Sequence, residues 1–380
     1  MGGDMKRGLF LFPLSLLCLC ACSSGPGKLS LELIPIEGAA CFHTEEQHDF
    51  LTCADPDAYM AEHGNTLGLK SKAAPRGVEL SWKAGGKPTS FVLTVSEDEN
   101  FATSVTYETD KSPFYVQNLY LRRTYFYKVK AIRGEESIET DPASFTVEQT
   151  PVRNIYVAGM ENLRDCGGYS CEAGGIRQGM LYRSGEMNQS SYSSSCHVDG
   201  SGLVYIKDEL GIVTDIDLRR TADSVFGMDE VGGMTTTPLG EGVAYLSCPM
   251  EYRHQNIFTN EKNHDAILSF FEYLAVPEHY PAVFHCVRGT DRTGALAYAL
   301  GALCGMNETD LMRDYLFSDF SNLGSSVIRA EEINGEGFYV QGIHDAEGES
   351  MSEKAENYLV STVGVERDTL SAIKNILMEK

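Results

Sequence analysis

Apolar and polar positions divide the chain into stretches of different period. Residues 23–65 are polar and turn-rich and show no clear period, so they read as a lead or linker. From about residue 66 the apolar positions alternate. Val78, Leu80 and Trp82 fall on one side of their run, and Phe91, Leu93 and Val95 on one side of theirs. Period two is the mark of a strand with one buried face. Tyr125 to Ala131 gives another strand. Short strands roughly ten residues apart, separated by Gly-Gly, Pro-Thr and Asp-Glu-Asn turns, predict a β-sandwich over 66–150. Trp82 is the only Trp of the chain, and it and Tyr127 suit the core of that sandwich.

Past Pro151 and Asn154 the pattern changes again. Ile212 to Leu218, Val243 to Cys248 and Ala282-Val283-Phe284 read as buried strands. Between and after them come helix signals. Asn263 is placed to cap a helix running to about Leu274, and Ala295 to Leu303 is a run of small apolar residues. Gly305 is a C-cap candidate, and Asn307 with Asp310 three on opens another helix. Tyr358-Leu359-Val360 and Leu370 to Leu377 close the chain as helices. Strands alternating with helices predict an α/β domain over 151–380 with a mostly parallel central sheet. The expected fold is therefore multidomain, a β-sandwich followed by an α/β unit.

The first residues are a targeting signal by pattern. Lys6 and Arg7 precede an apolar stretch, Leu9 to Leu19, that is too short to span a bilayer. Leu19-Cys20-Ala21-Cys22 then resembles a bacterial lipobox. The expectation is a signal peptide over 1–21, a lipid on Cys22, a polar lead over 22–65, and a protein held at a bacterial membrane outside the cytoplasm. Of the eleven cysteines, Cys18 and Cys20 would leave with the signal. Cys41 and Cys53 stand apart from the rest and form a candidate disulfide. Cys304 reads as a core thiol, and the state of 166, 171, 196 and 248 stays open. No pair has metal-site spacing, so no metal and no cofactor are expected.

Charge narrows the partners. The chain carries 31 basic and 54 acidic side chains, a net charge of −23. That balance argues against nucleic acid and against an anionic membrane surface. A phosphate substrate would gain no long-range steering, so any attraction must be local.

That local attraction has an obvious place. His285-Cys286-Val287-Arg288-Gly289-Thr290-Asp291-Arg292-Thr293, then Gly294, stands between the buried strand and the small-residue helix. A loop ending at a helix N-terminus presents free N–H groups and a positive dipole to an anion. The same field favours the thiolate of Cys286, a nucleophile. Arg292 can grip two oxygens of a tetrahedral oxyanion with its planar fork. A buried, inert Cys beside a surface Arg is the bland alternative, and the agreeing strand, glycines and helix weigh against it.

The loop resembles that of the Cys-based protein tyrosine phosphatases, His-Cys-x-x-Gly-x-x-Arg-Ser/Thr. It is more similar to bacterial tyrosine and dual-specificity phosphatases, which also carry an upstream Asn-x-Arg-Asp-x-Gly-Gly. Here that motif is Asn162-Leu163-Arg164-Asp165-Cys166-Gly167-Gly168. Leu181-Tyr182-Arg183-Ser184-Gly185 and Asp215-Ile216-Asp217-Leu218-Arg219 are also similar to the family. The 66–150 stretch looks like fibronectin type III, a fold that usually serves as a spacer or binding module. The resemblance implies Cys286 as nucleophile and Arg292 with the loop residues Val287, Arg288, Gly289 and Thr290 as phosphate binders. It implies Asp291 as proton donor. By position, Asp217 at a strand end is the second candidate acid, and Thr293 can hydrogen-bond the sulfur or cap the helix; the alternative for either Asp is bracing through Arg292 or Arg219. Arg164 and Asp165 are candidate site residues or structural pairs.

Two departures bear on substrate. Thr290 stands where related loops often have Lys, which weakens the likeness to phosphoinositide-accepting relatives. Arg288 adds a positive charge, which favours a multiply phosphorylated substrate. Three readings follow. The first is a tyrosine or dual-specificity phosphatase of proteins, the second a phosphatase of phytate or another inositol phosphate. The third is an inactive surface protein that binds through its β-sandwich.

Overall fold

The computed structural model describes residues 27–64, 74–172, 174–188, 196–252, 257–321, 331–334 and 338–379. The expected signal segment and Cys22 lie outside these residues. The strands of the first part are β1 (Ser30–Ile34), β2 (Val78–Gly85), β3 (Ser90–Ser96), β4 (Val105–Thr109), β5 (Phe114–Val116), β6 (Thr124–Arg133), β7 (Glu136–Glu139) and β8 (Ala143–Thr146). They form two antiparallel sheets. One has the order β1-β2-β5, and the other β4-β3-β6-β7 with β8 also on β6. Alternation decides which side chains go inside. Val78, Leu80 and Trp82 of β2 share one apolar core with Phe91, Leu93 and Val95 of β3. Trp82 meets Phe91 edge to face at 5.2 Å across the two sheets.

The lead is more ordered than its lack of period implies. Residues 30–34 add a strand to β2, with Leu31 opposite Ala84 and Leu33 opposite Trp82. Two short helices follow, α1 (Glu45–Thr52) and α2 (Pro56–His63). Thr44 opens α1 with a full capping box, in which Thr44 and Gln47 each accept from the other's backbone N–H at 3.2 Å. Asp55 caps α2 by accepting from Ala58 N, with Pro56 at its first position. Both helices are two turns long, too short to show a period. They pack on the α/β unit, where Phe50, Leu51 and Met60 join its core. Phe50 lies 5.6 Å from Phe320, centroid to centroid.

The connection between the halves is polar and buried. The Arg153 guanidinium is almost fully enclosed. It donates to Leu119 O at 3.0 Å, Asn118 O at 2.8 Å and Asp165 Oδ2 at 2.8 Å. Gln178 pairs both ways with the Leu121 backbone, at 2.8 and 3.1 Å.

The second half contains β9 (Arg164–Asp165), a small hairpin of β10 (Ser170–Cys171) and β11 (Gly174–Gly175), then β12 (Leu181–Ser184), β13 (Thr214–Asp217), β14 (Ala244–Ser247) and β15 (Ala282–His285). The sheet order is β14-β13-β15-β12-β9. Four strands run parallel, and β9 lies antiparallel at the edge. The α/β expectation therefore holds with a mixed sheet. Every residue of β15 is buried, as a central parallel strand covered on both faces requires.

Helices α3 (His264–Leu274), α4 (Asp291–Leu303), α5 (Glu308–Leu316), α6 (Met351–Tyr358) and α7 (Arg367–Leu377) surround the sheet. The small residues of α4 let neighbours come close. A Cβ on Gly294 would lie 2.7 Å from the Tyr315 ring. Asn307 caps α5 as expected, accepting from Asp310 N. Asn263 does not cap α3 with its side chain. It is buried instead, bonding both backbone groups of Glu251 and the Ile257 carbonyl. Cys41 and Cys53 are both free thiols, so the expected disulfide between them is not formed. Cys53 Sγ turns instead to Phe50 O at 3.0 Å.

Candidate active site

The parallel strands β12, β13 and β15 end together, and the loop 286–290 leaves β15 at that edge. Ligands of open α/β sheets bind at such carboxyl ends. The loop's shape follows from its contacts. Gly289 has φ of +74°, and a Cβ there would sit 2.4 Å from Ser184 O, so only glycine fits. Gly289 N donates to Cys286 Sγ at 3.3 Å. From outside, Asn162 donates to Arg288 O at 3.0 Å and Arg183 to Gly289 O at 2.8 Å. Glu186 N donates to Val287 O at 3.0 Å.

A cavity of about 200 Å³ opens over the loop, lined by Cys286, Val287, Arg288, Asp291, Arg292, Glu230 and Tyr252. Arg292 is buried, and its outer end meets Glu230, NH1 to Oε2 at 2.6 Å and NH2 to Oε1 at 3.3 Å. NH1 also reaches Leu218 O and Met250 O, each at 3.2 Å. Tyr252 lies over the guanidinium at 4.8 Å. Arg292 Nε has no hydrogen-bond partner among the described residues. Glu230 thus grips the fork end-on and leaves its Nε side for an oxyanion.

Glu230 is itself held by Arg220 at 3.0 Å. Burial alone would raise its carboxyl, but Arg292 and then Arg220 outweigh that and hold it at about 2, from 4.5. A carboxyl depressed in the fold stabilises it above the unfolded value and loses that contribution as pH falls through the folded one. Glu230→Gln should therefore lower Tm at neutral pH. The gap to wild type should narrow as pH drops from about 5 toward about 3. Thermal melts across that range check it, and a gap that ignores pH would mean the charge is not what holds Arg292.

Asp291 stands at the first position of α4 and faces the cavity. It accepts from Tyr339 OH at 3.0 Å. Burial raises its carboxyl above the ordinary value, against the pull of Tyr339, Arg292 and Arg288. Thr293 Oγ1 is buried and has no hydrogen-bond partner among the described residues. Thr290 is buried at the helix start, where its carbonyl accepts from Gly294 N at 2.8 Å.

Asp217 is elsewhere. Its two oxygens clamp Arg219 at 2.7 to 3.1 Å and accept from Tyr245 OH at 3.0 Å. Burial opposes its charge, but His285 and Arg219 hold it below the ordinary carboxylate range. A deprotonated, fully paired carboxylate outside the cavity lining does not suit a proton donor, so the second candidate acid falls away. His285 pairs with Asp215 at 3.1 Å. Burial opposes its charge too, yet Asp217 and Asp215 raise it above the ordinary imidazole value. It braces the strand end.

Arg164 and Asp165 are also outside the cavity. Arg164 is buried against Asp314 at 3.0 Å and Ser318 at 3.0 Å. Asp165 accepts from Arg153 and from the N–H groups of Gly167 and Gly179. Asp314 takes Arg164 and Arg183 together, and Arg183 in turn holds the loop. Of the two readings of Arg164 and Asp165, site residues or structural pairs, these contacts match the second. Sequence reasoning missed Glu230, Tyr252, Tyr339 and Asp314. None of the four has a local motif around it; Glu230 lies 62 positions before its partner Arg292.

A tyrosine phosphatase family profile matches residues 155–379. No curated protein is significantly similar in sequence. Among solved structures, the core catalytic domain of the PP-IP phosphatase SIW14 from S. cerevisiae, with citrate, is similar at 17% identity and a TM-score of 0.27. It covers 43% of this chain and 80% of its own. P. aeruginosa TpbA in complex with pTyr is similar at 17% identity and a TM-score of 0.27, covering 43% of this chain and 83% of its own. The likeness in both is low, and the assignment rests on the profile. Because that profile takes in more than half of the chain and contains the whole cavity-forming loop, this protein belongs to the tyrosine phosphatase family.

Proposed function

We propose that this protein hydrolyses phosphate monoesters through a cysteinyl-phosphate, acting on phosphotyrosine in proteins, alone or with dual specificity. The observation that supports this is one cavity lined by Cys286, Arg292 and Asp291 together. Cys286 Sγ attacks phosphorus as the bond to the leaving oxygen breaks. Asp291, whose carboxyl burial raises, gives its proton to that oxygen. The N–H groups of 287 to 292 and the free side of Arg292 hold the phosphoryl oxygens. Water then attacks phosphorus and gives a proton to Asp291. The S–P bond breaks, phosphate leaves, and the thiolate is restored, with Thr293 OH placed to hydrogen-bond it.

Arg292→Lys keeps the charge and loses the fork. The expected loss in kcat is on the order of 10²-fold, the usual value of one donor aimed at transition-state charge. Steady-state turnover of p-nitrophenyl phosphate measures it, and a change under about threefold would remove Arg292 from this role.

Arg288 in the cavity lining favours a second reading, an inositol phosphate as substrate. A panel of phosphotyrosine peptides, phosphoserine peptides and inositol phosphates, ranked by kcat/KM, separates the two. No turnover of any of them by folded protein leaves the binding role of the β-sandwich. The lipobox supports an anchor on Cys22 at a bacterial membrane, and the antiparallel first half supports a fibronectin type III-like spacer. Cys22→Ala should release the protein from the membrane fraction. Wild-type protein that takes up no fatty acid and fractionates as soluble would overturn the anchor.

A further inference from the structure

Away from the cavity, Cys41, His48 and Glu148 bring one ligand atom each within 4.8 Å of one another. His43 adds a fourth, with Nδ1 3.9 Å from Cys41 Sγ and 3.7 Å from Glu148 Oε1. His48 Nε2 lies 3.7 Å from Glu148 Oε2. We propose that Cys41, His43, His48 and Glu148 form a structural zinc site, against the sequence expectation of no metal.

The backbone builds this cluster before any ion arrives. Ala40 N donates to Thr146 O at 2.8 Å and Glu148 N to Ala40 O at 3.0 Å, which sets Cys41 beside Glu148. The capping box at Thr44 starts α1, and α1 carries His48 one turn on. His43 is fully buried, and its Nε2 lies 2.7 Å from Val152 O. A carbonyl only accepts, so the proton is on Nε2, and in the neutral ring Nδ1 presents its lone pair to the cluster. Metal-bound imidazoles are oriented in this way. Glu148 Oε1 is buried and faces His43 Nδ1 at 3.7 Å, longer than a good hydrogen bond.

The donor set suits zinc. A tetrahedral ion bound at zinc distances places its ligand atoms roughly 3.3 to 3.6 Å apart. Three of the pairs lie at 3.7 to 3.9 Å, and Cys41, His48 and Glu148 lie within 4.8 Å of one another, so the side chains must rotate inward to close on an ion. A thiolate and two imidazoles favour zinc over magnesium or calcium, and thiolate plus carboxylate balance its charge. His48 is the partly exposed member and marks the way in. With four protein ligands the site is structural, joining the lead, the end of the sandwich and, through His43, the linker at Val152.

The test uses the full chain carrying Cys286→Ser, so that the cavity thiol does not compete. After dialysis against a chelator it is titrated with zinc, and with cobalt as a spectroscopic probe. The expected result is one tight zinc per chain and a cobalt spectrum with tetrahedral bands and a thiolate charge-transfer band. Cys41→Ser should abolish the charge-transfer band and weaken zinc about 100-fold or more, as loss of one of four ligands implies. His48→Ala, at a partly exposed position, should weaken zinc while keeping that band, and it serves if Cys41→Ser does not fold. Less than stoichiometric zinc, or equal binding with and without Cys41 and His48, overturns the proposal.

Discussion

Replacing Cys286 with Ser should lower turnover by about 10⁴-fold or more, while phosphate and vanadate still bind. A serine hydroxyl is a weak nucleophile without an adjacent base. Among the described residues the cavity offers no unpaired base: Glu230 is held by Arg292 and Arg220, burial raises the Asp291 carboxyl, and His285 is behind the loop, paired with Asp215. Loss of a nucleophile commonly costs several orders of magnitude, and what remains comes from binding and charge stabilisation alone. Those parts survive, because the loop is held by Asn162, Arg183 and Glu186 rather than by the sulfur. Burst kinetics with p-nitrophenyl phosphate and ligand-induced thermal shifts measure both halves. Retention of a tenth of the activity would show that the sulfur is not attacking.

Asp291→Asn should cost on the order of 10² to 10⁴-fold with phenyl or alkyl phosphates, the range of a positioned general acid. The loss should be smaller with p-nitrophenyl phosphate, whose leaving oxygen needs little help from a proton. The pH profile carries the sign. Burial raises the Asp291 carboxyl, so it stays protonated above the ordinary carboxyl range and loses its proton as pH rises further. Turnover that needs this proton falls on the alkaline side, and the Asn variant should lack that limb. Equal losses for good and poor leaving groups, with the limb unchanged, would assign the proton to another group.

The loop was readable because its chemistry is contiguous. Strand, Cys286, Gly289, Arg292 and helix follow one another within a dozen residues, and each constrains the next. The sandwich strands were readable because Phe91, Leu93 and Val95 alternate against one core. What escaped reading is assembled from distant parts. Glu230 meets Arg292 only because the chain between β13 and β14 folds back over the loop. Asp314 joins Arg164 and Arg183 across 150 and 131 positions. Asp217 was placed correctly at a strand end, but Arg219 two residues on claims its carboxylate before it can reach the cavity. The lead concealed two helices of two turns, each fixed by its cap and by a few buried side chains, with no run long enough to show a period.

The buried Arg153 makes the two halves share one fate. Its guanidinium donates to the carbonyls of Asn118 and Leu119 in the first half and to Asp165 in the second. Opening the sandwich strips two partners from this buried charge, and an enclosed ion pair broken in part costs several kcal/mol. Asp165 in turn fastens Gly167 and Gly179, which flank the approach to β12, and β12 carries the Arg183 that steadies Gly289. A substitution in the β-sandwich, far from any phosphate, is therefore felt as a smaller population of competent enzyme. Natural variation in the first half would then tune how much catalyst is present without touching the chemistry of each turnover.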